Sequence, residues 1–593
     1  MNKTILAIAL ASLTSHASIS YAQSSDETVV VTANRFEQQV KALTSPVDII
    51  TREDIEVSQA KSLLEVLRRL PGIQVAANGG FGQTQSLFVR GTNSSHVLVM
   101  IDGVRFGSAT TGQASISSLP LVGIERIEFL RGPRAAVYGS DAIGGVINII
   151  TDNKRSETKI SASVGSNDYY QGKLFSAGNL SKELHVSVGV EGVKARGYSV
   201  KTGEGLNDDD GYDSKNITLA TDYQISPEWG VGFLALAQDG HVEYDASGHG
   251  DADKDGRLLN FVTKLEYSGE EYQSHFHAAF NQDKSKDYAY SSLTQTDRSE
   301  LSWDNQYAVS DALSVSSGVN WYKDDISKSS TAYDETSRTN FALYLNGNYH
   351  VELFDLEAAV RRDDNQRYGQ NTTWQLGAGY NLSPVYRVTA NAGTAFKAPT
   401  FNQLYYPGYG TPDLEPEESK NYELALLAYY SLTDLRLTIY RNEVTNLIVT
   451  DSATYKPMNF GQVDITGVEV SAEFATGDIT HNVSYDYTDA EDQETHNQLA
   501  RRAKHSAKWS ARYTWDQWIL DLSYVYQGKR YDDSNNDEEL DPYSLVDIAA
   551  TYQWENGIEL QGKVTNLLDE DYETAEGYNT PDRQYFATVS YQF

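Results

Sequence analysis

The residues best able to do chemistry in this 593-residue chain are carboxylates on alternate positions. Asp251-Ala252-Asp253-Lys254-Asp255-Gly256 opens like an EF-hand-type calcium loop, with oxygen ligands on every second residue and glycine at the turn, and Asp208-Asp209-Asp210-Gly211 is a second acidic cluster. Neither carries the closing bidentate Glu at the expected place, so these residues read equally as a calcium site or as two solvated loops. His275-Phe276-His277 sets two imidazoles at strand spacing but lacks a convincing third ligand, so two histidines on one strand face is the plainer reading. There is no His-Glu-x-x-His motif and no nucleophile argued beside a base, and the chain is expected not to be an enzyme. Gly132-Pro133 and Gly144-Gly145 are sharp turns rather than a phosphate loop, because no Lys-Ser or Lys-Thr follows Gly145.

A different chemistry, that of main-chain hydrogen bonds, is on offer at Glu27-Thr28-Val29-Val30-Val31-Thr32-Ala33. Three valines between threonines favour extended backbone, while the polar residues on either side give the segment no apolar face of its own to bury. Such a strand can add to the edge of a partner's sheet, although an ordinary first strand of a globular domain reads the same from these residues alone.

The surroundings of these groups follow from composition and pattern. Met1-Asn2-Lys3, a short apolar run to Leu13 and Ser20-Tyr21-Ala22 form a secretory signal over residues 1–22, with cleavage expected after Ala22. No later run of about 18 to 20 apolar residues exists, which excludes a helical span and leaves a soluble exported protein or an outer-membrane barrel. Forty Tyr, 44 Gly and three Met favour the barrel, and the absence of Cys excludes disulfides, thiolate metal sites and a lipid anchor at the cleavage point. A net charge of −34 argues against nucleic acid and for cations as partners.

From residue 158 to 593, segments such as Leu184-His185-Val186-Ser187-Val188 and Leu435-Arg436-Leu437-Thr438-Ile439-Tyr440 alternate apolar and polar residues, as lipid on one face and a polar lumen on the other require. About 22 antiparallel strands are expected, closing at 585–593, where Tyr585, Ala587, Val589, Tyr591 and Phe593 share a face. A barrel that wide is not filled by its own side chains. Residues 36–153 lack this alternation, with a helix-like stretch from Asp54 to Leu70 ending at Pro71-Gly72 and short strands at 87–90 and 97–101, and are expected to form an α+β plug in the lumen. On physics alone a periplasmic domain outside the barrel fits equally. Arg90, Arg105, Arg131 and Arg134 are expected to meet acidic groups of the barrel wall, with solvated surface as the alternative.

Leu67-Arg68-Arg69-Leu70-Pro71-Gly72-Ile73, Val89-Arg90-Gly91, Ile101-Asp102-Gly103-Val104, the run from Arg131 to Ile149, Phe396-Lys397-Ala398-Pro399 and Asn566-Leu567-Leu568-Asp569 together resemble the TonB-dependent outer-membrane receptors across essentially the whole mature chain. Gly91-Thr92-Asn93-Ser94-Ser95-His96 and Arg501-Arg502-Ala503-Lys504 are similar to the cobalamin-importing branch of that family. The resemblance implies a TonB box at 27–34, with Glu27, Thr28, Val29, Val30, Val31, Thr32 and Ala33 binding TonB, and active transport of cobalamin into the periplasm of a Gram-negative bacterium. It implies inner-membrane energy-coupling proteins, outer-membrane lipid and lipopolysaccharide as further partners, and no organic cofactor. It implies cobalamin contacts at Thr84, Ser86, Asn93, Thr110, Thr111, Thr296 and Arg501, and calcium ligands at Asp208, Asp210, Tyr244, Asp245 and Asp255. The chain departs from the family at Ser199, where an Asp ligand is usual and where Glu204 or Asp251 offers a substitute, and at Asn535, where a Tyr is usual and Tyr531 is near. A ferric-siderophore or other metal-chelate receptor shares the whole architecture and is the alternative reading. A passive porin needs neither plug nor handle.

Overall fold

The computed structural model describes residues 30–151, 154–201, 208–246, 250–451 and 454–593. The described residues from Glu157 to Gln592 form a closed antiparallel barrel of 22 strands, each paired with its neighbours in the chain, and Glu157–Gly165 pairs with Gln584–Gln592 to shut it. Alternation decides the facing of every strand. Along Thr433–Thr450, Leu435, Leu437 and Ile439 are exposed toward lipid while Thr438 and Tyr440 are buried in the lumen. His185 and Ser187 likewise point inward, and His277 is buried while Phe276 between the two histidines is exposed.

Connections on one edge are short, as at 180–183, 225–228 and 516–517, and those on the other are mostly longer, as at 326–336, 398–416 and 528–542. An aromatic belt follows the short-turn edge, with exposed Trp229, Tyr307, Tyr380, Tyr430 and Trp518 and ring contacts such as Phe354 to Tyr380 at 4.8 Å. Such rings suit a membrane interface, where one end of the side chain is apolar and the other wet.

Inside the barrel lies a five-stranded sheet in the order Val47–Thr51, Arg126–Arg131, Gly145–Ile150, Val97–Ile101, Val104–Phe106, with a separate hairpin of Ile73–Ala77 and Gln85–Val89. The stretch read as one helix from Asp54 to Leu70 is two short helices, Arg52–Val57 and Leu63–Leu67. Thr51 and Asp54 close a capping box on the first, Gln59 turns the chain at φ 50, and the Ser62 side chain caps the second by accepting from the Glu65 N–H. Leu63, Val66 and Leu67 still face one core, shared with Ile127, Phe129 and Ile147 of the sheet.

The handle also differs from its expectation. Residues 27–29 lie outside the described residues, but Val30–Val31 pairs with Gln38–Gln39, and Val31 is fully buried among Leu130, Tyr138 and Leu43. A segment without an apolar face of its own is thus given one by the plug.

Candidate functional site

At the long-loop edge three plug loops meet the wall. Thr84 is exposed at the tip of the plug hairpin, where Asn78 N–H donates to its carbonyl at 3.0 Å, and Ser86 is half-buried on the following strand. The hairpin turn lies against Tyr198, Tyr212 and Val242, close enough that a Cβ on Gly82 (φ 72) would stand 2.5 Å from the Tyr212 ring. Asn93 begins the second loop. Its side-chain oxygen accepts from Arg502, whose guanidinium also donates to the Gly91 and Thr92 carbonyls at 3.3 and 3.5 Å and sits 4.1 Å from the Phe88 ring centroid. In the third loop Thr111 is exposed, whereas Thr110 is fully buried with its hydroxyl 2.7 Å from that of Ser108.

Thr296 is buried in the wall and accepts from the Ala109 N–H at 3.2 Å, so it anchors the third loop. Arg501 is held by both oxygens of Asp532 at 2.6 and 3.0 Å, which ties two long barrel loops together. Asn535 is exposed, and Tyr531 is half-buried on a short strand beside Glu539. Thr84 and Thr111 are therefore the predicted contacts most open to a ligand, with Ser86, Asn93 and Arg501 behind them.

The acidic residues separate into two groups. Carboxylate oxygens of Asp208, Asp245 and Asp251 lie within 4.8 Å of one another. Asp245 is buried, neither of its oxygens accepts a well-formed hydrogen bond, and Lys201 is its nearby cation. Asp210 stands beside this group, buried, with one oxygen accepting from Val200 N–H at 2.8 Å. Tyr244 and Asp255 are engaged elsewhere: Tyr244 donates to Asp287 at 2.5 Å, and Asp255 accepts from Tyr288 at 2.5 Å and pairs with His241 at 2.9 Å. Ser199 donates to the Lys201 carbonyl at 2.6 Å, and Glu204 lies outside the described residues. Asp251, opposite Asp245 in the strand register and expected only as a substitute, completes the trio with the expected Asp208 and Asp245.

The plug's arginines are paired as buried charge demands. Arg90 reaches Glu423 and Glu469 of the wall at 2.6 Å each, Arg131 shares Glu469 at 3.0 Å and also meets the plug's own Asp48, and Arg134 faces Glu357 at 3.5 Å. Arg105 departs from expectation: it pairs with the plug's own Asp141 at 2.9 Å and bonds the Tyr138 and Ser140 carbonyls, bracing the turn after the Ala135–Tyr138 helix. Burial alone would raise the Asp141 carboxyl, but Arg105 holds it below the ordinary range.

At the handle, Thr32 donates its N–H and hydroxyl to the Glu128 carboxylate, the latter at 2.5 Å, and its own carbonyl accepts from the Tyr138 hydroxyl at 3.0 Å. Asn148 donates to the Thr32 hydroxyl at 2.9 Å, and burial pushes the Tyr138 hydroxyl up to about 12. Arg35 and Phe36 continue the docking through Asp304 at 3.5 Å and a ring contact with His275 at 4.8 Å. No local sequence signal marks Glu128 or Asn148 as handle partners, since they lie 96 and 116 residues away.

Residues 39–146 match the TonB-dependent Receptor Plug Domain and residues 146–567 the TonB dependent receptor-like beta-barrel. The chain belongs to the TonB-dependent receptor family. It is an outer-membrane β-barrel and a transporter rather than an enzyme. Among relatives of this receptor, the Vitamin B12 transporter BtuB of Photobacterium profundum is 44% identical and that of Vibrio cholerae 40% identical, each alignment covering 100% of both chains. Solved receptors share its fold: the siderophore receptor PirA of Acinetobacter baumannii has a TM-score of 0.81 at 20% identity, over 95% of this chain and 100% of that one. The ferric yersiniabactin uptake receptor FyuA of Yersinia pestis has a TM-score of 0.79 at 18% identity, over 93% and 98%.

Proposed function

We propose that this receptor imports cobalamin by active transport across the outer membrane, energised through TonB. Full-length identity of 40 to 44% to vitamin B12 transporters carries the choice of cargo. The plugged lumen supports active rather than passive movement, because an unplugged barrel of this width would conduct. In this reading the long loops face outward and the short turns and the handle face the periplasm. Thr84, Ser86, Asn93, Thr111 and Arg501 receive the corrinoid, and Thr110 and Thr296 hold the loop that presents Thr111. Release needs work: at nanomolar affinity the bound state lies about 12 kcal/mol below the free one, and pulling on residues 27–33 by a TonB strand supplies it.

Calcium fits the acidic trio. Asp208, Asp245 and Asp251, with Asp210 beside them, offer hard oxygen donors, and three carboxylates this close repel unless a cation compensates them. A bound calcium would neutralise that charge and tie the ends of two strands to the preceding loop.

The test is cobalamin uptake with and without Val30→Pro, since proline removes an N–H and blocks strand addition. Uptake is expected to be lost with binding retained, and absence of saturable cobalamin binding to the unaltered receptor would overturn the cargo. The fold is equally that of siderophore receptors, so ferric chelates are the comparison ligands.

A further inference from the structure

We propose that the cargo's route is already marked in the resting structure: it runs between plug residues 52–73 and the wall strands His505–Trp515, Trp518–Gln527 and Tyr543–Gln553, and the turn at 70–73, held by Lys508, is its gate. This location rests on the transport reading above and extends it to a path.

Two cavities stand one above the other along that wall. The upper, about 190 Å³, reaches Asn167 and Asp210 at the long-loop edge and descends to Lys508. The lower, about 730 Å³, runs from Lys508 to Asp434 and Thr480 beside the short turns and to Lys41 just after the handle's hairpin. Lys508 lines both, so the turn it holds stands where the two voids approach each other.

That turn is docked. The Lys508 ammonium donates to the carbonyls of Leu70 and, at 2.6 Å, Ile73, while Gly72 N–H donates to Asp486 at 3.1 Å. Gly72 has φ 70, and a Cβ there would stand 2.4 Å from Glu469 Oε1, so only glycine lets the turn seat this closely. Around it the attachment is polar and point-like: Arg69 to Asp521 at 2.8 Å, Arg68 to Asp547, and Lys563 to Glu65. The same plug segment borders a third cavity of about 120 Å³ at Gln59 and Lys61.

The flank at the Ala135–Tyr138 helix adds apolar packing to its polar contacts: the helix packs on Ala359, Ala395 and Phe396 of the wall in one apolar cluster, beside the Arg134–Glu357 pair and the Arg361 bond to the Val137 carbonyl at 3.3 Å. Parting the plug from the wall there exposes apolar surface at a cost proportional to its area, whereas parting along residues 52–73 exchanges polar contacts for water and joins space that already exists.

The chain has no cysteine, so introduced pairs are unique. In full-length receptor, Lys508→Met keeps the stem but cannot donate to the two carbonyls, and ion conductance in planar bilayers is expected to rise several-fold; unchanged conductance would overturn the gate. Arg69→Cys with Asp521→Cys, bridged by a short bis-maleimide, is expected to abolish uptake with cobalamin binding intact. Ser115→Cys with Asp283→Cys, normally 3.2 Å apart on the far wall, is expected to leave uptake unchanged when bridged. Full uptake in the first bridged pair, or equal loss in the second, overturns the route. The conductance measurement involves no cargo and remains decisive if cobalamin proves to be the wrong ligand.

Discussion

At the scale of single residues, the proposed transport rests on two carboxylates with opposite surroundings. Glu128 is buried and accepts both the N–H and hydroxyl of Thr32, so it latches the handle in the plug. Hydrogen bonds to a charged acceptor contribute about 1.5 to 3 kcal/mol, and Glu128→Gln should shift the handle toward its released form by roughly tenfold or more. Limited proteolysis over residues 27–39 measures this, with faster cleavage and an unchanged barrel as the expected result. Asp245 instead accepts no well-formed hydrogen bond, has Lys201 as its nearby cation and faces two further carboxylates. Asp245→Asn removes one charge of the trio and is expected to weaken calcium binding by at least tenfold in isothermal titration, while leaving the fold intact, because the strand ladder on both sides is unaffected.

Elements sit between the legible and the illegible. Strand alternation depends on near neighbours, which is why the barrel and its lipid face are legible in the spacing of Leu435, Leu437 and Ile439 alone. The helix-like stretch is legible as a buried face but not as two helices, because the break at Gln59 is set by its packing: its side chain donates to the Ala550 carbonyl at 3.0 Å and Thr551 at 3.1 Å of the wall. The handle misleads for a related reason, since its apolar surroundings come from Leu130 and Tyr138, far along the chain. Within the calcium candidates, Asp251 is visible only as a substitute, because register across a hairpin decides which carboxylates meet.

The second short helix carries a pH dependence. Burial would raise Glu65, but the adjoining Lys563 and Arg68 draw it down from 4.5 to about 2. A carboxyl depressed in the folded state contributes stability above its unfolded value that is lost as pH falls through the folded one, so plug docking should weaken between about pH 4.5 and about pH 2. Protease resistance of the plug against pH checks this, and Glu65→Gln is expected to be less resistant at neutral pH and to have a flatter acid profile.

For the whole molecule, two kinds of cohesion coexist. Each of the 22 barrel strands is hydrogen-bonded on both sides and the sheet closes on itself, so no edge is free to fray. Among the described residues the plug shares no strand with that sheet and is held by side chains: the buried Arg90, Glu423, Glu469 and Arg131 group on one flank, ammonium-to-carbonyl bonds at Lys508 and Lys563 on another, and apolar packing at the Ala135–Tyr138 helix. Urea solvates such contacts without breaking a closed ladder, so unfolding is expected in two transitions, with the plug becoming protease-sensitive at lower urea than that which melts the barrel. Arg90→Met separates the two further. It leaves Glu423 buried without its cation and Glu469 with Arg131 alone, and breaking a buried pair by removing one partner costs about 3 to 5 kcal/mol. The first transition should move down by that amount divided by its slope, and the second should not move. A single transition shifted as a whole would mean that plug and barrel are one cooperative unit, and a handle pulling on the plug would then have to work against the barrel as well.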